Sequence, residues 1–276
     1  MFKKQESSIM KVYPNAKINL GLNIVRKRED GYHDLETVMY PIPLYDELEI
    51  EEANKLSFET EGVKLEDDGK ENLVVRAYRL MAESYSIKPV SIHLIKNIPS
   101  GAGLGGGSAD AAFMLKALNE FFSLDINNEE LKRMASRLGA DCALFIDNKP
   151  MMCRGIGDQM SPVSLDFGGH QLLVVKPNVH ISTAEAYRGC TPAPWPTSLS
   201  EIVCQPMEMW KYVMKNDFEP QVFALHSELK TLKKRIYDSG AIYAAMTGSG
   251  SSFFGIYKNT ELTDSFSEYN HYWLDL

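Results

Sequence analysis

The sequence has few cysteines, and their arrangement indicates neither a disulfide framework nor a metal site. Four occur in 276 residues, and none belongs to a C-x-x-C pair. Four thiols are too few to crosslink a chain of this length, so we expect reduced thiols and a cytoplasmic protein. The six histidines form no H-x-H or H-x-x-x-H group. A structural zinc site therefore has no support in the sequence.

Long apolar runs and an excess of positive charge are also missing. No segment approaches the roughly 18 apolar residues of a membrane span, and the first ten residues, MFKKQESSIM, are too polar for a secretory signal. The 29 Lys and Arg are outnumbered by 37 Asp and Glu, which gives a net charge of -8. Sequence-independent nucleic-acid binding needs a basic face. We therefore expect neither a membrane nor a nucleic acid as partner. The first strand pattern starts just after Met10, which makes Met10 an alternative start to Met1.

The most informative segment is IPSGAGLGGGSADAAFML, residues 98–115, which has five glycines in its first ten positions. Before it, VSIHLIK alternates apolar and polar residues and predicts a strand over Val90–Lys96. After it, Ala111, Leu115 and Leu118 share one helical face, and Ser108 is the expected N-cap. A glycine loop that leads into a helix start exposes main-chain amides toward the positive end of the helix dipole. The segment predicts a phosphate-binding loop.

Two common phosphate loops fit poorly. The Walker pattern needs a lysine directly after its last glycine, and none lies between Lys96 and Lys116. Gly101, Gly103 and Gly106 satisfy G-x-G-x-x-G, but a dinucleotide fold requires a second strand after the helix. Instead DINNEELKRMASRLGAD predicts another helix. Asn127 and Glu130 are its expected cap pair, and Gly139 is its expected end. Its expected buried face consists of Leu131, Met134, Ala135 and Leu138.

The remaining patterns predict an α+β protein of one or two domains. Strands are expected over residues 17–25, 36–41 and 46–51, followed by a helix over 72–86. The Pro- and Gly-containing residues 149–163 indicate a crossing between domains. Beyond it we expect a strand at 170–178, helices at 200–215 and 218–237, a strand, glycine turn and strand at 241–257, and a packed terminal strand at 267–276.

Three segments in this order, PNAKINLGLNI, PSGAGLGGGSADAA and MTGSGSSFFGIY, resemble the three motifs of the GHMP kinases. DGYH at residues 30–33, ENLVVRA at 71–77, GAD at 139–141 and RGIGD at 154–158 resemble one branch, whose substrate is a cytidine diphosphate conjugate of methylerythritol. The resemblance implies a two-domain α+β fold with the active site in the cleft between the domains. It implies an N-terminal, ribosomal-protein-like domain, residues 1–157, with a left-handed β-α-β crossover, and an α+β C-terminal domain, residues 158–276.

The activity implied by the resemblance is phosphoryl transfer from ATP, with Mg²⁺, to the 2-hydroxyl of the methylerythritol unit, in the non-mevalonate (MEP) isoprenoid pathway. No tightly bound organic cofactor is implied, and the chain is expected to act as a monomer or weak homodimer. Such a reaction needs positioning and charge compensation more than covalent chemistry. A backbone cradle, one cation and one proton acceptor satisfy that need.

The resemblance also assigns roles to residues. Asp141 would be the general base and Lys17 its electrostatic partner; considered alone, Asp141 is a turn residue or the cap of the next helix. ATP would contact Pro99, Ser100, Gly101, Ala102, Gly103, Leu104, Gly105, Gly106, Gly107, Ser108 and Ala109, with Asn72 and Lys96 on the adenosine side. The substrate would contact Asn19, Tyr32, His33, Thr183 and Tyr187, and Gly248, Ser249 and Gly250 would support the site. Ser108 is the single protein group expected near Mg²⁺.

Two other functions stay open at this point. A GHMP kinase for another small alcohol, such as homoserine or mevalonate, would share the three motifs but not DGYH or Tyr187. A regulatory protein that binds ATP without catalysis would share the scaffold, but it would have no need for Lys17 and Asp141. A tight turn alone also explains Gly248 to Gly250.

Overall fold

The structure is a computed structural model that describes residues 9–64, 69–258 and 265–276. Met1, the alternative start to Met10, lies outside these ranges. Contacts divide the chain into two compact units: a first unit of residues 9–16, 44–64, 69–100 and 106–148, and a second unit of residues 17–43, 101–105, 149–258 and 265–276. The predicted division into 1–157 and 158–276 remains a prediction, because these units describe packing rather than independent folding.

The first unit contains a four-stranded sheet in the order β1-β4-β6-β5. The strands are β1 (Ile9–Val12), β4 (Glu47–Glu52), β5 (Ser57–Gly62) and β6 (Val90–Lys96). β6 runs parallel to β5 and antiparallel to β4. Every second residue of β6 is buried, as the alternation in VSIHLIK predicts. The predicted bounds of β6 are confirmed.

Four helices accompany this sheet: α1 (Leu73–Ser84), α2 (Gly106–Phe121), α3 (Asn128–Leu138) and α4 (Leu144–Asp147). Asn127 caps α3 by accepting the N–H of Glu130, and the four buried residues of α3 are the four predicted ones. Helix α2 packs against the other three helices and is buried along most of its length. It therefore forms the centre of the first unit's core.

The second unit contains a sheet in the order β2-β3-β7-β8, formed by β2 (Asn15–Lys27), β3 (His33–Tyr45), β7 (Met151–Arg154) and β8 (Gln159–Pro162). Residues 149–163, where a crossing between domains is predicted, form the β7-β8 hairpin rather than an irregular linker, directly after the first unit ends at Asn148. Its turn contains Gly155 and Gly157, with φ of +67° and +101°. Glycines occur both in hairpin turns and in linkers, so this sequence pattern alone does not distinguish a hairpin from a linker.

A third sheet, in the order β10-β11-β9-β12, completes the second unit with β9 (His170–Lys176), β10 (Tyr243–Met246), β11 (Phe253–Lys258) and β12 (Asn270–Asp275). All its pairings are antiparallel. Strand β12 pairs with β9, so the predicted terminal strand is confirmed. Apolar residues of β9, β10 and β11 form one buried cluster with those of the unit's helices.

The helices of the second unit are α5 (Thr183–Arg188), α6 (Leu199–Ile202), α7 (Met207–Val213), α8 (Glu219–Leu225) and α9 (Ser227–Asp238). The two long helices predicted over 200–215 and 218–237 are wrong in extent, because each is broken. Pro206 directly precedes α7, and His226 separates α8 from α9 with φ of -133° and ψ of 75°. Within the described ranges, no helix combines the length and apolar composition that crossing a bilayer requires.

Candidate active site

The glycine-rich segment connects β6 to α2. Gly101, Gly103 and Gly105 have φ of +59°, +75° and +72°, left-handed values that glycine adopts without a steric cost. Between them, the side chains of Ala102 and Leu104 are buried. The side chains of Ala102 and Leu104 therefore anchor the loop, and the three glycines around them have no side chain.

Helix α2 begins at Gly106, two residues before Ser108, so the predicted N-cap is wrong. Gly106 packs closely on the segment before the loop, because a Cβ at position 106 would lie 2.9 Å from Cγ2 of Ile98. The N–H groups of a first helical turn have no intrahelical acceptors, and Gly107 in this turn is exposed and has no side chain to cover them. This end of α2 has the free amides and the dipole orientation of an anion site.

The turn between β10 and β11, which carries the third glycine motif, packs against the glycine loop. A Cβ at Gly103 would lie 2.1 Å from the carbonyl oxygen of Thr247, and a Cβ at Gly248 would lie 3.2 Å from Cα of Gly103. The hydroxyl of Thr247 also donates to the carbonyl oxygen of Gly103 at 3.1 Å. Glycine at 103 and 248 lets the two main chains touch.

Lys17 and Asn19 lie two residues apart on β2, and their side chains meet as the strand alternation predicts. Nζ of Lys17 donates to Oδ1 of Asn19 at 2.6 Å and to the carbonyl oxygen of Gly103 at 3.0 Å. Nδ2 of Asn19 donates to Oγ1 of Thr37 at 3.0 Å. Lys17 is only 3% exposed. A buried cation beside the glycine loop supplies local positive charge in a protein whose net charge is negative.

Three buried polar residues complete this network without having been predicted: Thr37, Asn216 and Thr247. Nδ2 of Asn216 donates to the carbonyl oxygens of Met246 and Gly248, at 2.9 and 2.8 Å, and so holds the third-motif turn. Thr247 directly precedes GSG, and its place in the third motif was a sequence signal that could have predicted its role in the site. Thr37 and Asn216 have no local sequence signal, because their partners are distant in the chain.

Asp141 belongs to the first unit, where it is half-buried in the turn between α3 and α4. The N-cap position of α4 is Ala143, and no side chain makes the cap hydrogen bond. The alternative that Asp141 caps the next helix is therefore excluded. Beside it, burial raises the pKa of the Cys142 thiol to about 11. That thiol is neutral near pH 7 and carries no nucleophilic chemistry.

Two residues predicted on the adenosine side have structural partners in the first unit. Oδ1 of Asn72 accepts the N–H of Val74 at 2.9 Å and caps α1. Lys96 is 2% exposed, and its ammonium contacts the carboxylates of Asp46 and Asp110. An ammonium enclosed by two carboxylates is not accessible to a nucleotide. The structure therefore disfavours the adenosine contact of Lys96, whereas that of Asn72 stays a prediction.

The predicted substrate residues form two groups in the second unit. The rings of His33 and Tyr187 stack, with centroids 4.8 Å apart and an interplanar angle of 25°. Tyr32, the neighbour of His33, is 63% exposed. Oγ1 of Thr183 lies 3.2 Å from Oγ of Ser249, which links a predicted substrate residue to the third glycine motif. Aromatic surface and hydroxyl groups, the means of recognising a base and a sugar-like chain, are thus both present.

Comparison with known proteins identifies the family. The N-terminal domain model of the GHMP kinases matches residues 72–149, and the C-terminal model matches residues 201–270. The chain is 52% identical, over 256 residues, to a 4-diphosphocytidyl-2-C-methyl-D-erythritol kinase of Bacteroides fragilis, with 91% of this chain and 93% of the relative covered. A kinase of the same name from Parabacteroides distasonis is 51% identical, with 89% and 91% covered.

Solved structures give the same result. A crystal structure of 4-(cytidine 5'-diphospho)-2C-methyl-D-erythritol kinase superposes with a TM-score of 0.74 at 34% identity, and 89% of each chain is covered. A homoserine kinase of Cytophaga hutchinsonii superposes with a TM-score of 0.71 at 17% identity, over 100% of this chain and 97% of the other, a likeness of fold alone. The predicted two-domain α+β GHMP kinase fold is confirmed. The chain belongs to the GHMP kinases and, within them, to the 4-diphosphocytidyl-2-C-methyl-D-erythritol kinase family.

Proposed function

We propose that the protein transfers the γ-phosphoryl group of MgATP to the 2-hydroxyl of 4-diphosphocytidyl-2-C-methyl-D-erythritol, giving the 2-phosphate and ADP. The observation that carries the proposal is 52% identity over 91% of the chain to a kinase named for this substrate. The activity would serve the non-mevalonate isoprenoid pathway in the cytoplasm. The acting species would be a monomer or weak homodimer.

The glycine loop supports the proposal through its chemistry. A triphosphate carries several negative charges, and main-chain amides at a helix start bind such groups without a cationic side chain at each oxygen. Gly101 and Gly107 are exposed, so no side chain covers the main chain at the start of the loop or in the first turn of α2, whereas Gly103 and Gly106 pack against Thr247 and Ile98. Among the described residues no three acidic, His or Cys side chains form a metal cluster. Mg²⁺ would therefore enter with the nucleotide, held by phosphate oxygens and water, with the Ser108 hydroxyl as the protein ligand.

Lys17 is the proposed electrostatic partner of the transferred group. Its ammonium donates to the carbonyl oxygen of Gly103, which holds it at the glycine loop. A preorganised cation stabilises charge that develops in the transition state without a cost of reorientation. Asp141 is the proposed general base, which accepts the proton of the attacking hydroxyl.

The aromatic residues are the proposed cytosine site. Tyr32 and Tyr187 offer ring faces on which a base can stack, and His33 offers ring nitrogens that can hydrogen-bond to its edge. His33 stacks on Tyr187 and Phe218 packs against the same ring edge-to-face, so a base that stacks on Tyr187 would displace the imidazole. Thr183 is the proposed contact to the rest of the substrate, and Ser249 would orient its hydroxyl.

The test is an ADP-release assay with a substrate panel. The purified chain is incubated with MgATP alone, with the cytidine conjugate, with homoserine and with mevalonate. We expect ADP release above background with the cytidine conjugate only. Turnover with homoserine or mevalonate would favour the other GHMP kinase reactions. ATP binding without turnover in every sample would favour a regulatory role.

A further inference from the structure

A buried cluster of charges lies in the first unit, among the residues that precede and follow the glycine loop in the chain. Lys96, Asp46 and Asp110 are each at most 3% exposed. The Lys96 ammonium contacts Oδ2 of Asp46 and donates to Oδ2 of Asp110 at 2.6 Å. Burial lowers the pKa of Lys96, but the charges of Asp110 and Asp46 outweigh it, and the net shift is upward. Lys96 is therefore charged.

The cluster reaches both ends of the loop. Before the loop, Oδ1 of Asp46 accepts the main-chain N–H groups of Asn97 and Ile98 at 2.6 and 2.8 Å. After the loop, Asp110 belongs to the second turn of α2, whose first residue is Gly106. A Cβ at Gly106 would lie 3.3 Å from Nζ of Lys96. One ammonium thus joins the residues that precede the loop to the helix that follows it.

A buried cluster of charges adds little net stability to a protein core. Each buried ion loses several kcal/mol of hydration, and apolar residues of the same volume are often as stable or more stable. In some proteins, buried polar or ionic groups specify one geometry at a cost in stability. Here the geometry they specify is the separation and orientation of the loop's two ends. The amides proposed to hold the phosphates lie between those ends.

We propose that Lys96, Asp46 and Asp110 are positioning residues for nucleotide binding, which act by holding the two ends of the glycine loop in register. The inference rests on the proposed function, because it takes a nucleotide phosphate as the ligand of the loop. None of the three side chains touches the nucleotide. They act through the main chain of residues 97–106.

The two carboxylates differ in a way that makes the proposal testable. Both oxygens of Asp46 receive hydrogen bonds from donors, so the NH₂ group of an asparagine there must face a donor. Asp110 has a spare oxygen: Oδ1 is buried and has no hydrogen-bond partner among the described residues. An asparagine at 110 can keep its oxygen toward Lys96 and turn its NH₂ group to the spare side. Burial raises the pKa of Asp110 to about 7, against the effect of Lys96, which agrees with a neutral group being tolerated there.

The experiment measures the Kd of MgATP by calorimetry for the full chain and for four variants, well below each variant's Tm. Asp46→Asn and Asp110→Ala should each raise Kd about tenfold, the scale of one lost hydrogen bond to a charged group. Asp110→Asn should keep Kd within about threefold of wild type. In steady state, KM for MgATP should rise in the two damaged variants, whereas KM for the cytidine conjugate should not. The control is Leu131→Ala, a buried residue of α3 that destabilises the same unit away from the loop.

The outcomes are distinguishable. If Asp46→Asn and Asp110→Ala bind MgATP as wild type does and only lower Tm, as Leu131→Ala does, the cluster is purely structural and the proposal fails. If Asp46→Asn does not fold, the comparison of Asp110→Ala with Asp110→Asn decides, and equal Kd values in that pair overturn the proposal. If the wild-type chain does not bind MgATP, the proposed function fails first.

Discussion

At the scale of single residues, the proposed chemistry depends on a carboxylate and an ammonium that are buried to different extents. Lys17 is buried and donates to the glycine loop, whereas Asp141 is half-buried in a turn. A base must exchange its proton, so partial exposure suits Asp141. A cation that only stabilises charge gains strength from burial, because water does not screen it. The burial of each residue thus fits its proposed role.

Asp141→Asn should lower kcat at least about a hundredfold, because an amide cannot accept the hydroxyl proton. The Kd of MgATP should stay within about threefold of wild type, since the change is nearly isosteric. The matched control is Asp238→Asn, the same change on an exposed residue of α9. It should leave both quantities unchanged. A steady-state rate of Asp141→Asn equal to that of the control would remove Asp141 from the mechanism.

Gly103→Ala should lower the free energy of unfolding by about 2–4 kcal/mol, from positive-φ strain and a clash. Its Cβ would lie 2.1 Å from a main-chain oxygen of Thr247, which cannot move aside as a flexible side chain would. Gly240→Ala is the control, because Gly240 has φ of +103° but no heavy atom within 4 Å of its Cβ position. It should cost about 1 kcal/mol, from strain alone. Denaturant unfolding measures the free energy of unfolding of both variants. Equal losses in the two variants would mean that the structure relieves the clash at position 103.

The pH dependence of stability should reveal the buried carboxyl of Asp110, which faces the charged groups Lys96 and Asp46. Its folded pKa of about 7 lies above the unfolded value. Between about pH 4 and 7 the folded chain therefore holds the extra proton, and stability falls with rising pH by up to about 1.4 kcal/mol per unit. Asp110→Asn removes this loss. The stability difference between variant and wild type should grow from pH 4 to 7 and then level off, and a constant difference would contradict the assignment.

At the scale of elements, the third-motif turn is held by one amide side chain. Asn216→Asp keeps the acceptor for the N–H of Phe218 but turns a carboxylate oxygen toward the carbonyls of Met246 and Gly248. We expect a stability loss of about 3 kcal/mol and, because Gly103 rests on this turn, a fall in kcat/KM of at least about tenfold.

Asn119→Asp is the matched control for that prediction. Asn119 also donates to a main-chain carbonyl, that of Ile126, but it lies in the last turn of α2 and contacts the connection to α3. The control should lose stability while the folded protein keeps its kcat/KM. Equal kcat/KM in the two variants, measured at a temperature where both are folded, would show that the third-motif turn does not act on the glycine loop.

Local patterns predicted some elements well and failed at others for identifiable reasons. β6 and α3 were predicted because their alternation, cap residue and apolar face are all local. Two helices are predicted where the structure has four, α6 to α9, because the breaks at Pro206 and His226 are not part of the prediction. Ser is a common N-cap, which makes Ser108 the expected one, but α2 already begins two residues earlier, at Gly106.

The residues of the candidate site also divide into those with a local sequence signal and those without one. Lys17 and Asn19 were paired from their spacing on one strand, and the glycine loop from its composition. Asn216, Thr37 and the partners of Lys96 could not be predicted, because their hydrogen bonds join residues far apart in the sequence. Burial of Lys96 follows from tertiary packing alone, and an isolated lysine at a strand end is normally exposed.

At the scale of the whole molecule, fold and substrate are separate questions. A homoserine kinase at 17% identity has nearly the same TM-score as the kinase of 34% identity, 0.71 against 0.74. The fold therefore does not distinguish one substrate from another, and the choice of acceptor depends on the residues that line the site. A net charge of -8 likewise does not oppose ATP binding, because amides and one buried lysine set the local potential.

The central claim is that the terminal phosphoryl group of ATP is transferred to the cytidine conjugate. The most direct test incubates the chain with γ-labelled ATP and 4-diphosphocytidyl-2-C-methyl-D-erythritol and follows the label by chromatography and phosphorus NMR. Label should appear in a monophosphate ester of the conjugate with the wild type, and at no more than about 1% of that rate with Asp141→Asn. Label found only in inorganic phosphate, or equal transfer by both proteins, would contradict the claim.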